Sequence, residues 1–500
     1  MSVRYSDHSV CRQSAVGFQC IVLTVLQLPQ VISLRLRADS ITQFITLKHE
    51  HFSRPIYQKF RLAIISILLL SMTACSSWTN TGLFAYTNRQ KFTDRTLNAK
   101  ASFLVIPDRG DPEMLMILAF SGGGSRAAYW SASVMLRLEQ VFPDLNLLEQ
   151  VDAISAVSGG ALPAAYYALS TDPGVESKHG RIWREDIVKQ LMSQNYIARW
   201  IGNWFWPSNI AKYWFTAFDR TDIMAQTLAD NLYDIDVSGE DLMKGRDLLM
   251  GEMNTERPYV ILNSTNATAE NNQFGQLFTF TKQDFDKIDS EINDYSIARA
   301  VMASASFPGA FNSMTLLDYT KSEEAPHYIH IFDGGNVDNL GLMSVQGILH
   351  TLHVNQIDYK KIVVILVDAY TAAGGVQATQ ADSRSTLDFI VDSNIIDATD
   401  SLLSANRKNK ISRFIEAFKL VRKPSRSLFY HLKFSDIKDG PLSKKLNRIK
   451  TSFSIETKDR VAIDNAIDRL LTPQNTCLVQ IKQLLVHGEH QGDSLCSYSN

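Results

Sequence analysis

The chain has 500 residues, 45% hydrophobic and 20% charged, with a formal net charge of -2. A sizeable core is therefore available, and the balance excludes a disordered chain and gives no basis for a nucleic-acid partner. Five cysteines, Cys11, Cys20, Cys75, Cys477 and Cys496, form no CxxC pair, which excludes the familiar zinc spacings, and no metal or other cofactor is expected.

Residues 1–55 show no sustained periodicity and no helix caps; they are unassigned and need not belong to the working protein. Lys59 and Arg61 then precede the apolar run Leu62 to Leu70 and the sequence SMTAC ending at Cys75. A cationic start, an apolar core and small residues before a cut make a secretory signal of residues 56–75. The run is too short to span a bilayer, which takes about 20 apolar residues. A signal placed this far along suggests that translation begins downstream of Met1. Its ending resembles a bacterial lipobox with Met72 where Leu is usual. That resemblance implies lipidation of Cys75, and Ser76 rather than Asp implies the outer membrane of a Gram-negative envelope. Residues 76–112 are polar and read as a tether.

Over residues 113–375 apolar runs alternate with helical stretches. Strand candidates are Met114 to Phe120, Val151 to Val157, Tyr259 to Asn263, Tyr328 to Phe332 and Ile362 to Val367. The alternation predicts an α/β fold with a mostly parallel central sheet covered by helices. The first strand breaks into SGGGSR, Ser121 to Arg126, and the second into Ser158-Gly159-Gly160. Consecutive backbone N–H groups at Gly122, Gly123 and Gly124 can hold an oxyanion. The turn lacks both P-loop and dinucleotide spacing, so nucleotide binding is disfavoured.

The second turn fits G-x-S-x-G at four of five positions, with Ala156 replacing the first glycine. Such an elbow sets a serine nucleophile on a tight strand-to-helix turn, where small neighbours avoid clashes. Taken alone, a serine there is more often a helix N-cap. Further on, four of the seven tryptophans, Trp200, Trp204, Trp206 and Trp214, cluster within Trp200 to Phe218. They form either a lipid-facing or acyl-binding cap, or aromatic packing that holds a lid helix on the sheet.

In FDGGNVDNLG, Phe332 to Gly341, a strand ends in Asp333 followed by Gly334 and Gly335. A carboxylate there can accept a serine proton, and the glycines let a nucleophile's backbone approach. His327, His330, His350 and His353 have no comparable setting, which favours a Ser-Asp dyad over a Ser-His-Asp triad and gives no recognisable metal pair. Residues 376–500 read as a helical extension, with Thr386 to Leu403 and Asn409 to Val421 as helices. The basic run from Arg407 to Arg426 either faces anionic headgroups or is a solvated surface. Cys477 and Cys496 either close a disulfide in an oxidising compartment or remain separate thiols.

The order Gly-Gly-Gly-x-Arg, then x-x-Ser-x-Gly, then Asp-Gly-Gly resembles the patatin-like phospholipase family. ASASFPGAF, Ala303 to Phe311, and ILNSTNATAE, Ile261 to Glu270, are similar to further family segments. The resemblance covers Met114 to Ala369 and implies a three-layer α/β/α fold and metal-independent hydrolysis of phospholipid or lysophospholipid acyl esters. It implies Ser158 as nucleophile, Asp333 as base, Gly122, Gly123 and Gly124 as oxyanion hole, and Gly159, Gly160, Gly334 and Gly335 as motif glycines. Arg126 matches the family's basic position, where it orients the turn or meets a lipid phosphate. Ala156 and Ala127 stand where the family usually has glycine. The alternatives are a catalytically degenerate envelope lipoprotein that binds lipid or a protein, and a Ser-His-Asp α/β-hydrolase.

Overall fold

The computed structural model describes residues 83–91, 113–234, 246–268, 275–357, 359–371, 393–438 and 440–496. Residues 1–55, the signal at 56–75 with Cys75, and the rest of the tether lie outside the described residues. The strands are β1 (Met114–Phe120), β2 (Ala153–Val157), β3 (Tyr259–Asn266), β4 (Gln276–Phe280), β5 (Met314–Asp318), β6 (His327–Asp333), β7 (Lys361–Asp368), β8 (Ser427–Lys433) and β9 (Leu495–Cys496). Helices of eight or more residues are α1 (Gly124–Gln140), α2 (Ala161–Leu169), α3 (Glu185–Met192), α4 (Tyr196–Trp204), α5 (Pro207–Phe215), α6 (Arg220–Leu228), α7 (Ile297–Ser304), α8 (Leu342–Asn355), α9 (Ser393–Val421), α10 (Thr457–Leu470) and α11 (Thr476–His487).

All nine strands join one sheet in the order β5-β6-β3-β2-β1-β7-β8-β9, with β4 also paired to β3. From β3 to β9 the pairing is parallel, and β4, β5 and β6 make an antiparallel margin. Strands β1 and β7 are buried along their whole length, as expected of parallel strands covered on both faces. Alternate side chains of β1 leave the sheet on opposite sides. Met114, Met116, Leu118 and Phe120 enter one core, and Leu115, Ile117 and Ala119 the other. Helices α1, α2, α10 and α11 cover the first, and α8 with Phe414 and Phe418 of α9 covers the second. This is a three-layer α/β/α fold.

The five expected strands correspond to β1, β2, β3, β6 and β7. The two helix candidates of the C-terminal region fall in one helix, α9, with residues 386–392 outside the described residues. That region is mostly helical and also adds β8 and β9 to the sheet. Part of the tether packs on the domain. The Thr87 N–H donates to the Thr315 carbonyl at 3.2 Å. Asn88 exchanges two hydrogen bonds with the Leu317 backbone, at 2.8 and 2.9 Å. Residues 83–91 thereby cover the outer strand β5, whose edge would otherwise present unpaired backbone groups.

Cys477 of α11 and Cys496 of β9 form a disulfide with their Cα atoms 5.7 Å apart. It ties the last strand to the helix beside it and closes a loop of 19 residues' separation. Loop-closure entropy sets its contribution at about 3 kcal/mol. Reduction, or Cys496→Ser, is expected to lower the unfolding free energy by about that amount, read as a lower urea midpoint. Equal midpoints with and without dithiothreitol would show that the bond does little for stability.

Candidate active site

Strands β1 and β2 lie side by side with Phe120 opposite Ala156, so their C-terminal ends open at the same level of the sheet. After β1 the chain turns through Gly123 (φ 138°) and Gly124 (φ 58°), a backbone suited to glycine, and starts α1. After β2 it turns through Ser158, whose φ of 51° is left-handed despite its side chain. A non-glycine residue held there costs about 1 kcal/mol or more, so its surroundings must enforce it. A short helical turn, Ser158–Gly160, then leads into α2. The elbow thus forms with Ala156 in place of glycine; Ala156 is fully buried and its carbonyl accepts from Asn263 Nδ2 at 2.9 Å.

The two turns pack back to back. A Cβ on Gly159 would lie 2.0 Å from the Gly124 carbonyl oxygen, and one on Gly160 would lie 2.8 Å from Phe120 Cβ. A Cβ on Gly122 would stand 3.1 Å from Ser158 Cβ and 2.2 Å from Asn339 Oδ1. These glycines are required by space.

Asp333 ends β6, where its backbone N–H donates to the Ser306 carbonyl at 3.2 Å and its carbonyl accepts from Thr265 Oγ1 at 2.8 Å. The Ser158 hydroxyl donates to Asp333 Oδ2 at 2.8 Å, and the Gly335 N–H donates to Asp333 Oδ1 at 2.7 Å. Burial raises the Asp333 carboxyl from the usual carboxylate range to about 6, and these two hydrogen bonds offset part of the rise. A Cβ on Gly334 would meet the Asn263 carbonyl oxygen at 2.3 Å, which is how the turn after Asp333 lies flat against β3.

Residues without a sequence signal of their own hold this pair. Ser304 Oγ accepts the Ser158 N–H at 2.9 Å and donates to the Asn263 carbonyl at 2.6 Å. The Ser304 carbonyl accepts the Gly334 N–H at 3.2 Å. One buried residue of α7 thereby touches the turns of both Ser158 and Asp333. The ASASFPGAF resemblance marks its neighbourhood, but no pattern identifies the hydroxyl.

The glycine turn after β1 is held at both ends. The Gly122 N–H donates to the Asn339 carbonyl at 3.0 Å, and the Ser125 N–H to the Ser452 carbonyl at 2.7 Å. Gly123 and Gly124 lie between them at the N-terminus of α1, where the helix dipole favours negative charge. Arg126 is buried; its Nη1 donates to Thr371 Oγ1 at 2.9 Å and to the Ile449 carbonyl at 2.6 Å. It ties the turn to the C-terminal segment, on a cavity of about 550 Å³ that Lys445, Arg448 and Lys450 also line.

His327, His330, His350 and His353 are all exposed. One histidine does meet a buried carboxylate: His431 Nε2 lies 2.9 Å from Asp368 Oδ2, and burial lowers its pKa to about 3. It stands on β8, three strands from the one that carries Ser158, or about 14 Å at ordinary strand spacing. That places it out of reach of the Ser158 hydroxyl. Among the described residues no group of three or more His, Cys, Asp or Glu side chains is placed to hold a metal ion.

Residues 118–345 match the family model described as patatin-like phospholipase. No curated protein sequence matches the chain. Among solved structures, VipD from Legionella pneumophila is similar at 12% identity and a TM-score of 0.27, over 71% of this chain and 65% of that one. Human GIVD cytosolic phospholipase A2 is similar at 11% identity and a TM-score of 0.31, over 61% of this chain and 60% of that one. The chain thus spans less than two thirds of the length of either.

Removing the Ser304 hydroxyl leaves a buried N–H and a buried carbonyl without their partner. Ser304→Ala is expected to cost about 1–3 kcal/mol of folding stability, read from the denaturant midpoint. A variant as stable as the parent would show that the hydroxyl does not support the elbow.

Proposed function

We propose that the chain, which belongs through residues 118–345 to the patatin-like phospholipase family, hydrolyses acyl esters of phospholipids or lysophospholipids with a Ser158-Asp333 dyad. The observation that carries this reading is the 2.8 Å hydrogen bond from the Ser158 hydroxyl to Asp333 on an elbow with φ of 51°. It supplies a nucleophile, a base in contact with it and a turn that exposes the attacking oxygen.

In the first half-reaction Asp333 Oδ2 takes the hydroxyl proton as Ser158 Oγ bonds to the ester carbonyl carbon. The oxyanion that develops is held by the Gly123 and Gly124 N–H groups, each donor contributing about 10²- to 10³-fold in rate. Gly122, whose N–H is engaged by Asn339, instead keeps the turn close to Ser158. Protonated Asp333 returns its proton to the leaving alcohol as the ester C–O bond breaks, and an acyl-serine remains. Water then attacks, Asp333 accepts its proton, and the acid leaves as Ser158 regains its hydrogen.

Arg126 acts as a positioning residue that fixes the glycine turn through Ile449 and Thr371. The envelope address follows from the signal and lipobox-like sequence ending at Cys75, with lipidation as the anchor. The Cys477–Cys496 disulfide supports maturation in an oxidising compartment.

Ser158→Ala is expected to lower turnover of a medium-chain ester by about 10⁴-fold or more, and Asp333→Asn by about 10²- to 10⁴-fold. Both variants should keep the parent's circular dichroism. Because no step uses a metal, activity should survive EDTA, and a fluorophosphonate should label Ser158. A folded protein with an unlabelled Ser158 would favour the lipid-binding scaffold over the enzyme.

The base works only when ionised, so the pH profile of kcat/KM is expected to fall as pH drops through about 6. A profile flat from pH 5 to 8 would exclude Asp333 as the titrating base. The same group governs stability. Its folded pKa of about 6 exceeds the unfolded value, so the folded state holds the proton more tightly and loses stability as pH rises from about 4 to about 6. Above that window the charged carboxylate costs about 3 kcal/mol. Asp333→Asn should recover much of this at pH 8 and little at pH 4, as measured by thermal or urea unfolding.

A further inference from the structure

We propose that the outer face of α4 and α5 is a docking surface for an anionic lipid bilayer. This rests on the reading of the chain as an enzyme of membrane lipids, whose substrate resides in that phase. Ile201, Phe205, Trp206, Ile210, Trp214 and Phe215 are all exposed, with Phe205 at 74% and Trp206 at 57%. Ile210 and Trp214 stand four residues apart on one face of α5, and Phe205 and Trp206 form the turn that joins it to α4. Such a concentration of solvent-facing aromatic side chains is uncommon on a protein surface without a partner. No helix among the described residues is long and apolar enough to cross a membrane, and α4 and α5 have nine residues each, about half of what spanning takes.

Two further observations select a bilayer as the occupant. Helices α4 and α5 contain Arg199 and Lys212 but no Asp or Glu, which suits an anionic headgroup layer. Leu83 and Phe84 also pack beside this face. The Leu83 carbonyl accepts the Ala217 N–H at 3.2 Å, and the Phe84 and Phe218 rings meet at 5.6 Å. Leu83 is itself exposed, and it follows Cys75 by eight residues, a reach of at most roughly 28 Å. A lipidated Cys75 would hold the face within that distance of the membrane.

The inner side of the same helices leads to the proposed site. Trp200 is buried and its ring lies 5.4 Å from Phe311, which lies 5.2 Å from Phe453. Phe453 follows Ser452, whose carbonyl holds the Ser125 N–H beside the glycine turn. A path of three aromatic rings, Trp200, Phe311 and Phe453, thus runs from the inner side of α4 to the segment that braces the glycine turn.

The test uses the chain from Ser76 onward, which carries neither the apolar signal nor the acylated cysteine, so that no other anchor contributes. Vesicles of phosphatidylethanolamine and phosphatidylglycerol should retain this protein on sedimentation. Phe205→Ser with Trp206→Ser and Trp214→Ser should weaken partitioning by more than about tenfold, with hydrolysis of a water-soluble short-chain ester unchanged. Acyl chains brominated near the headgroup should quench tryptophan fluorescence, and Trp206→Phe with Trp214→Phe should remove that quenching. Undiminished partitioning in the triple variant, or no quenching in the parent, would overturn the proposal. So would a dimer of the parent that the triple variant abolishes, since the face would then join two copies of the chain. Sedimentation and quenching do not depend on turnover, so an inert Ser158 would sink the catalytic reading alone.

Discussion

The distance between the backbones of Gly124 and Gly159 sets the geometry of the whole site. Parallel neighbours in a sheet end about 4.8 Å apart, and β1 and β2 each break there into a turn that feeds a helix. Two such turns share that space only where side chains are missing, and a Cβ on Gly159 would meet the Gly124 carbonyl oxygen at 2.0 Å. The contact holds the start of α1, with its N–H groups, against the elbow that carries Ser158. Loosening it by one methyl group would separate the proposed oxyanion donors from the hydroxyl they serve.

Asp333 answers a different constraint, that of a charge kept out of water. Only 4% of its surface is exposed, and the Gly335 N–H and the Ser158 hydroxyl are its two hydrogen-bond donors. They are too few to stabilise the ionised form as water would, and the proton is held near neutrality as a result. That poor solvation brings the proposed general base near working pH. The stability lost there is supplied elsewhere, by a sheet whose central strands are covered on both faces.

The strands that carry the site were legible in the sequence because parallel strands buried on both sides read as unbroken apolar runs, as MLMILAF and KIVVILVD do. The glycine turns and Asp333 were legible because close backbone approach leaves a residue-type mark. Other features left none. Strand β8, SLFYHLK, breaks its apolar run at His431 and follows a basic helix, and its pairing with β7 is a tertiary fact. Ser304 and Asn339 act through a hydroxyl and a carbonyl that many residues in many folds also present. Division of labour among Gly122, Gly123 and Gly124 depends on which N–H a distant loop reaches. The disposition of Trp200 to Phe218 is open in the sequence for a related reason: tryptophan serves core and surface alike, and here Trp200 is buried while Trp206 is exposed.

The hydrogen bond from Ser125 to the Ser452 carbonyl carries a consequence for biosynthesis. Ser158 and the glycine turn are made early, yet the backbone that braces the turn is made 294 residues after Ser158 (452 minus 158). Arg126 waits for Ile449 in the same way. A nascent chain can pair β1 with β2 but cannot finish the turn between them until the C-terminal segment has emerged. The proposed site is therefore the joint product of both ends of the fold, and it is complete only when the C-terminal segment is in place.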